Sequence, residues 1–162
     1  MQITYKKAMP SDCELLLKLR MDFLNETIKN MSETTKTAIS AQLSNYLPRQ
    51  INHDFTAYFA VTNKTIAATA FLTIIERPAN PSIITGKFGI ISNVYTLPKY
   101  RKMGIATNLI NLLIEEGKTN NLSYIELAAT KDGKPVYEKL GFTIKQSNNY
   151  TDMKLNLISK II

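Results

Sequence analysis

Val94-Tyr95-Thr96-Leu97-Pro98-Lys99-Tyr100-Arg101-Lys102-Met103-Gly104-Ile105-Ala106-Thr107 is the stretch on which the reading of this chain turns. An apolar, β-prone run stops at Pro98, a short basic turn with one glycine follows, and a helical pattern begins at once. A helix that starts this way has several backbone N–H groups without intrahelical partners, at the positive end of its dipole and among cationic side chains. That arrangement suits a phosphate. Gly104 lets a ligand approach the backbone with no Cβ in the way, and Ala106 is small enough for the same purpose. The N–H groups of about residues 102 to 107 would converge on a diphosphate, with Arg101 adding a planar fork and Lys102 a point charge. The run is neither G-x-G-x-x-G nor a P-loop ending in Gly-Lys-Ser/Thr. Taken alone, it also reads as an ordinary strand-to-helix turn with solvated basic residues.

Outward from this stretch, the pattern predicts a first strand over 2–8. A helix follows from a Ser11-Asp12-Cys13-Glu14 capping box to about Ile28, and a second runs over Thr34–Leu47, ending near Pro48. Strands Phe55–Thr62 and Thr65–Glu76 flank a hairpin at Asn63-Lys64, and Arg77–Gly86 reads as a loop. A strand over Phe88–Leu97 leads to a helix from Met103 to about Lys118, with Ala106, Leu109, Ile110 and Leu113 facing a core. After it come a short strand (Ser123–Ala128), a short helix (Pro135–Leu140) and strands Phe142–Gln146 and Asp152–Leu157. Hairpins followed by strand-helix-strand passages imply an α/β (α+β) fold with a mixed central sheet and helices on both faces.

The 162 residues suffice for one domain, 1–162, with one core. An apolar share of 44% against 20% charged excludes a disordered chain. The start has no charged region followed by an apolar stretch, so no signal peptide is expected. The longest mostly apolar run, Ile66–Ile75, is too short to span a bilayer, so no membrane partner is expected. The lone Cys13 excludes an internal disulfide framework and points to a reducing, cytoplasmic setting. The lone His53, in a loop, leaves no basis for a His-built metal site or a Ser-His triad, and no metal is expected. The net charge of +7 is concentrated after residue 81, where 11 basic side chains face 6 acidic ones. The lysines are scattered and lack interleaved aromatics, which argues against a nucleic-acid partner. The basic balance also argues against a polycationic substrate.

Arg101-x-x-Gly104-x-Ala106 behind Pro98 resembles the acetyl-CoA-binding signature of the GNAT superfamily of N-acetyltransferases, (Gln/Arg)-x-x-Gly-x-(Gly/Ala). A second stretch, Val136-Tyr137-Glu138-Lys139-Leu140-Gly141-Phe142, is similar to that family's Leu-Tyr-Glu-Lys-Leu-Gly-Phe. The order of predicted elements extends the resemblance over essentially the whole chain.

The resemblance implies a GNAT-like fold whose fourth and fifth strands splay apart. Acetyl-CoA would enter that gap as cosubstrate, its pantetheine arm pairing with Val94, Tyr95 and Thr96. Its diphosphate would lie on the loop that continues through Arg101, Lys102, Met103, Gly104, Ile105, Ala106 and Thr107. The implied reaction is direct attack of a small-molecule or peptide amine on the acetyl group in a ternary complex. An alkyl ammonium of pKa ~10.4 is only ~0.04% neutral at pH 7, a cost of ~4.6 kcal/mol. The oxygen that gains charge needs a donor, for which a backbone N–H near Tyr95 is the family-like candidate. The departing thiolate would be helped by Tyr137, which the resemblance places beside the sulfur. The proton acceptor stays open among Glu76, Glu126 and a water held by Asn93.

Two departures from the family pattern stand out. Thr130 and Lys131 occupy the region where the family often has an asparagine, and Met103 stands in the turn where a small or basic residue is common. Lys99, Tyr100 and Lys131 are within the family's reach of the adenosine phosphates, or are simply solvated. A sensor or interaction module that binds an acyl-CoA without turnover is the alternative reading. The resemblance also allows a homodimer, and it leaves open the acceptor and the use of acyl groups other than acetyl.

Overall fold

The computed structural model describes residues 2–63, 65–145 and 153–157. Its elements are β1 (Thr4–Lys7), α1 (Cys13–Thr27), α2 (Glu33–Gln50), β2 (Phe55–Thr62), β3 (Thr65–Glu76), β4 (Lys87–Thr96), α3 (Ile105–Thr119), β5 (Ile125–Leu127) and α4 (Lys134–Lys139). Short 3-10 turns at Pro10–Asp12 and Pro98–Tyr100 precede α1 and α3. The five strands lie in chain order. β1 to β4 are antiparallel neighbours, and β5 joins β4 in parallel.

The alternation of β2 and β3 sends side chains to two cores. Ala57, Phe59 and Phe71 meet Leu16 of α1 and Leu47 of α2 on one face. Ala60, Ala68, Ala70 and Leu72 meet Ile105, Leu109, Ile110 and Leu113 of α3 on the other. The small alanines under α3 let that helix lie close to the sheet. Its buried face runs 105, 109, 110, 113, 117, so Ile105, rather than the half-buried Ala106, begins the core stripe.

Several expectations are corrected. Ser11 does not cap α1. Asp12 instead turns back on the 3-10 turn, its carboxylate accepting from the Met9 N–H at 2.8 Å. Pro48 lies inside α2 rather than ending it, because a proline removes only its own amide bond and the last turn has little left to lose. The strands predicted over Phe142–Gln146 and Asp152–Leu157 are absent among the described residues, since 142–145 and 153–157 carry no ladder. Gln146 and Asp152 lie outside those residues. Alternation makes a stretch competent to be a strand, but only a partner of matching register makes it one. No helix among the described residues is long and apolar enough to cross a membrane.

Candidate functional site

β4 is a ten-residue strand, but β5 pairs with only its first half: Gly89 with Ile125, Ile90 with Glu126 and Ile91 with Leu127. Beyond Ile91 the pairing ends, and no strand faces Ser92–Thr96 on that side among the described residues. Here the splay implied by the resemblance is visible in the register. The β4 ladder to β3 is also broken at this level, where Phe71 opposes Ser92 and Thr69 opposes Tyr95. Asn93 supplies the extra residue of the bulge, with φ 51°. Its buried amide fixes the kink. Nδ2 donates to Thr69 Oγ1 at 3.0 Å, and Oδ1 accepts from Arg20 Nη1 at 3.1 Å. The Thr69 hydroxyl donates in turn to the Asn93 carbonyl at 3.3 Å. The Asn93 side chain, considered above as a water holder, is therefore engaged in shaping the strand.

After the bulge, the Leu97 N–H donates to the Ala67 carbonyl at 2.9 Å. By the two-residue alternation of a ladder, Tyr95 also turns its backbone groups to β3, and those of Val94 and Thr96 turn to the open side. The Thr96 carbonyl is taken there by Arg101 Nε at 2.9 Å.

The turn into α3 alternates its backbone handedness. Lys102 has φ 62° and Gly104 φ 73°, with Met103 between them outside the left-handed region. Such an alternation aims successive N–H groups into one concavity, an anion-binding nest. Among the described residues no acceptor faces the N–H groups of residues 102 to 107. The first amide that finds one is that of Asn108, on the Gly104 carbonyl at 3.2 Å. A Cβ built at Gly104 meets nothing within 4 Å. A 15-residue helix thus presents its positive end, unpaired amides and open space together. Arg101, Lys102 and Met103 are exposed, Ala106 and Thr107 half-buried, and Ile105 is anchored in the core.

The Arg101 side chain does not project alone into the nest. Its Nη2 lies 3.2 Å from Glu26 Oε1, and its guanidinium is 5.9 Å from the Tyr95 ring centroid. The Tyr95 hydroxyl donates to the same Glu26 carboxylate. Burial, followed by the bond and charge of Glu26, pushes the Tyr95 hydroxyl above its ordinary pKa. Tyr100, considered for adenosine, is instead a core residue at 9% exposure, with Lys99 Nζ 4.9 Å from its ring centroid.

Tyr137 sits on α4, half-buried against the same apolar cluster that Val94 and Leu97 border. Its ring packs edge-on to Phe142 at 6.0 Å. Gly133 leaves room for it, since a Cβ there would come within 3.2 Å of Tyr137 Cε2. Thr130, in the departure noted above, starts this helix by accepting the Gly133 N–H at 3.1 Å. The Tyr137 hydroxyl has no hydrogen-bond partner among the described residues, and burial raises its pKa, so it stays protonated and able to donate.

Of the two carboxylates considered as bases, Glu76 is exposed beside Lys87 (3.7 Å) and Glu126 is paired with Lys145 (3.1 Å). Among the described residues no group of His, Cys, Asp and Glu is placed to hold a metal ion.

Two contributors escaped the sequence reading, Arg20 and Glu26 of α1. Arg20 had a signal. It lies four residues from each of Leu16 and Leu24, inside the buried stripe of its helix, where a charge is out of place. Glu26 had none.

The acetyltransferase (GNAT) family model matches residues 22–142. Among solved structures, the chain is 30% identical to a predicted acetyltransferase from Clostridium acetobutylicum solved with acetyl-CoA. That match has a TM-score of 0.77 and covers 94% of this chain and 96% of that one. A GCN5-related N-acetyltransferase from Ralstonia eutropha shares the fold at 22% identity, with a TM-score of 0.77 and coverage of 94% and 99%. So does glucosamine-6-phosphate N-acetyltransferase from Arabidopsis thaliana, at 19% identity, a TM-score of 0.64 and coverage of 94% and 100%. No curated protein matches the chain. The matched span contains the strand that opens, the turn with unpaired amides and the helix carrying Tyr137, and the chain belongs to the GNAT family of acetyltransferases, which are acetyl-CoA-dependent transferases.

Proposed function

We propose that this chain moves the acetyl group of acetyl-CoA to an amine acceptor by direct attack in a ternary complex. The observation that carries the reading is the run of unpaired N–H groups at residues 102 to 107, set where the edge of β4 loses its neighbour. Acetyl-CoA supplies the activated thioester. The chain's own groups divide the remaining work. The amides of the nest hold the diphosphate, and this grip is mainly a backbone property because the Arg101 fork is shared with Glu26. The outward backbone groups of Val94 and the Thr96 N–H pair with the amides of the pantetheine arm, in the manner of an added strand, while the Thr96 carbonyl stays with Arg101. An N–H of the same edge donates to the oxygen that gains charge during attack. As the N–C bond forms and the C–S bond breaks, the Tyr137 hydroxyl, protonated and without a protein partner among the described residues, donates to the leaving sulfur. The proton the amine nitrogen gives up passes to water and balances the one the thiolate gains.

Free-thiol release from acetyl-CoA, followed over a broad amine panel, tests this reading beside Tyr137→Phe. The variant should bind acetyl-CoA as the parent does and turn over at least about tenfold more slowly. Unchanged turnover removes Tyr137 from the mechanism. Tight acetyl-CoA binding with no thiol release on any amine would make the chain a binding module instead.

A further inference from the structure

A cavity of about 220 Å3 lies between α1, α2 and the sheet face they cover. Its polar lining comes from Arg20, Gln42, Tyr46, Thr73 and Ser92. No acidic residue lines it, and its one charge is the Arg20 guanidinium. That charge is poorly compensated. Nη1 donates to Asn93 Oδ1 at 3.1 Å, and the group lies 5.7 Å from the Phe23 ring centroid, but no carboxylate pairs with it among the described residues. Burial lowers the Arg20 pKa, and nothing of opposite charge offsets the effect. A guanidinium drawn partly out of water gains strongly from a carboxylate or phosphate, and four of its five N–H donors remain for a ligand here. The position matters as much as the charge. Asn93, which accepts from Arg20, directly precedes Val94 on the open edge, and Ser92 lines the cavity itself.

Building on the acetyl-transfer reading above, we infer that the acceptor is a small primary amine carrying a carboxylate or phosphate, with that oxyanion held by Arg20 in this cavity and the amine directed at the β4 edge. A volume of about 220 Å3 is below the ~300–1,000 Å3 of drug-sized sites, which favours a compact acceptor. A cavity whose only charge is positive also disfavours diamines and lysine-rich peptides.

The test compares matched amines: amino acids, their neutral amides, aminoalkyl phosphates and alkyl diamines. Anionic acceptors should show KM values at least about tenfold below those of the neutral amides, and the carboxylate and phosphate arms identify the preferred oxyanion. Arg20→Gln should raise KM for anionic acceptors about 10- to 100-fold and leave acetyl-CoA affinity within about twofold, with partial recovery in Arg20→Lys. Asn93→Asp tolerates the positive φ and gives Arg20 an internal carboxylate at the loss of the Nδ2 bond to Thr69, and it should raise the same KM, with thermal denaturation confirming that the variant folds. A preference for neutral amines or diamines overturns the inference, as does an unchanged KM in folded Arg20→Gln. A readout without turnover is calorimetry of N-acetyl amino acids and N-acetylated aminoalkyl phosphates on CoA-saturated protein. Heat with the parent that is lost in Arg20→Gln supports the inference, and no heat with either probe overturns it. Failure to bind acetyl-CoA at all would instead sink the transfer reading, so the two failures are distinct.

Discussion

Gly104→Val separates the nest from the rest of the fold. Gly104 caps α3 with φ 73°, a conformation that costs an L-residue about 1–2 kcal/mol. No steric penalty adds to this in the protein alone, because a Cβ at this position meets nothing within 4 Å. The contrast is Gly86, where a Cβ would lie 2.9 Å from the Arg77 carbonyl. The variant should therefore fold, with a melting temperature lower by about 2–8 °C, since about 1 kcal/mol shifts a chain of this size by about 2–4 °C. The empty space beside Gly104 is where the diphosphate has to come to reach the amides, and a valine fills it. Displacing two charge-assisted amide bonds at about 1.5–3 kcal/mol each weakens acetyl-CoA binding at least about 100-fold. Calorimetry with acetyl-CoA and with CoA measures the loss. S-acetylpantetheine lacks the diphosphate, so its kcat/KM should differ by less than about threefold between parent and variant. A folded Gly104→Val protein that binds acetyl-CoA as tightly as the parent would refute the reasoning.

Glu116 offers a pH test remote from the site. Burial by itself would raise its carboxyl, but the bonds from Lys7 Nζ and the Tyr58 hydroxyl, each 2.7 Å, outweigh it and hold the carboxyl below its ordinary value of 4.5. A depressed acid stabilises the fold above the unfolded pKa, and that stabilisation is lost as pH falls through the folded value. Glu116→Gln should thus cost about 1–2 kcal/mol at pH 7, and the gap to the parent should narrow progressively as pH falls below the ordinary carboxyl value of 4.5 in urea melts. Leu109→Ala, in the fully buried face of α3, should cost about 2–5 kcal/mol by thermal denaturation, because the alanines opposite cannot close the void. The half-exposed Glu26–Arg101 pair contributes little by the same measure, so Glu26→Gln should change stability by less than about 1 kcal/mol.

What the chain reveals on its own is local. The turn from β2 into β3, the strand ending before Pro98 and the short helix bearing Tyr137 all follow from neighbours a few residues apart and are found in the structure, while α3 begins at Ile105 rather than at Met103, because the left-handed Gly104 caps it. The unpaired amides were legible for the same reason, since the first turn of any helix lacks acceptors. Tertiary structure decided what depends on distant partners. Arg20 meets Asn93 across 73 residues, and Arg101 meets Glu26 across 75. The bulge at Asn93 exists only against Thr69 and Phe71 of the neighbouring strand. The C-terminal stretches had the alternation of strands but no ladder among the described residues, while β5 shrank to three residues and so left the edge of β4 open. Periodicity is a property of one segment, whereas pairing, register and the fate of a buried charge belong to two, and the second cannot be read from the first.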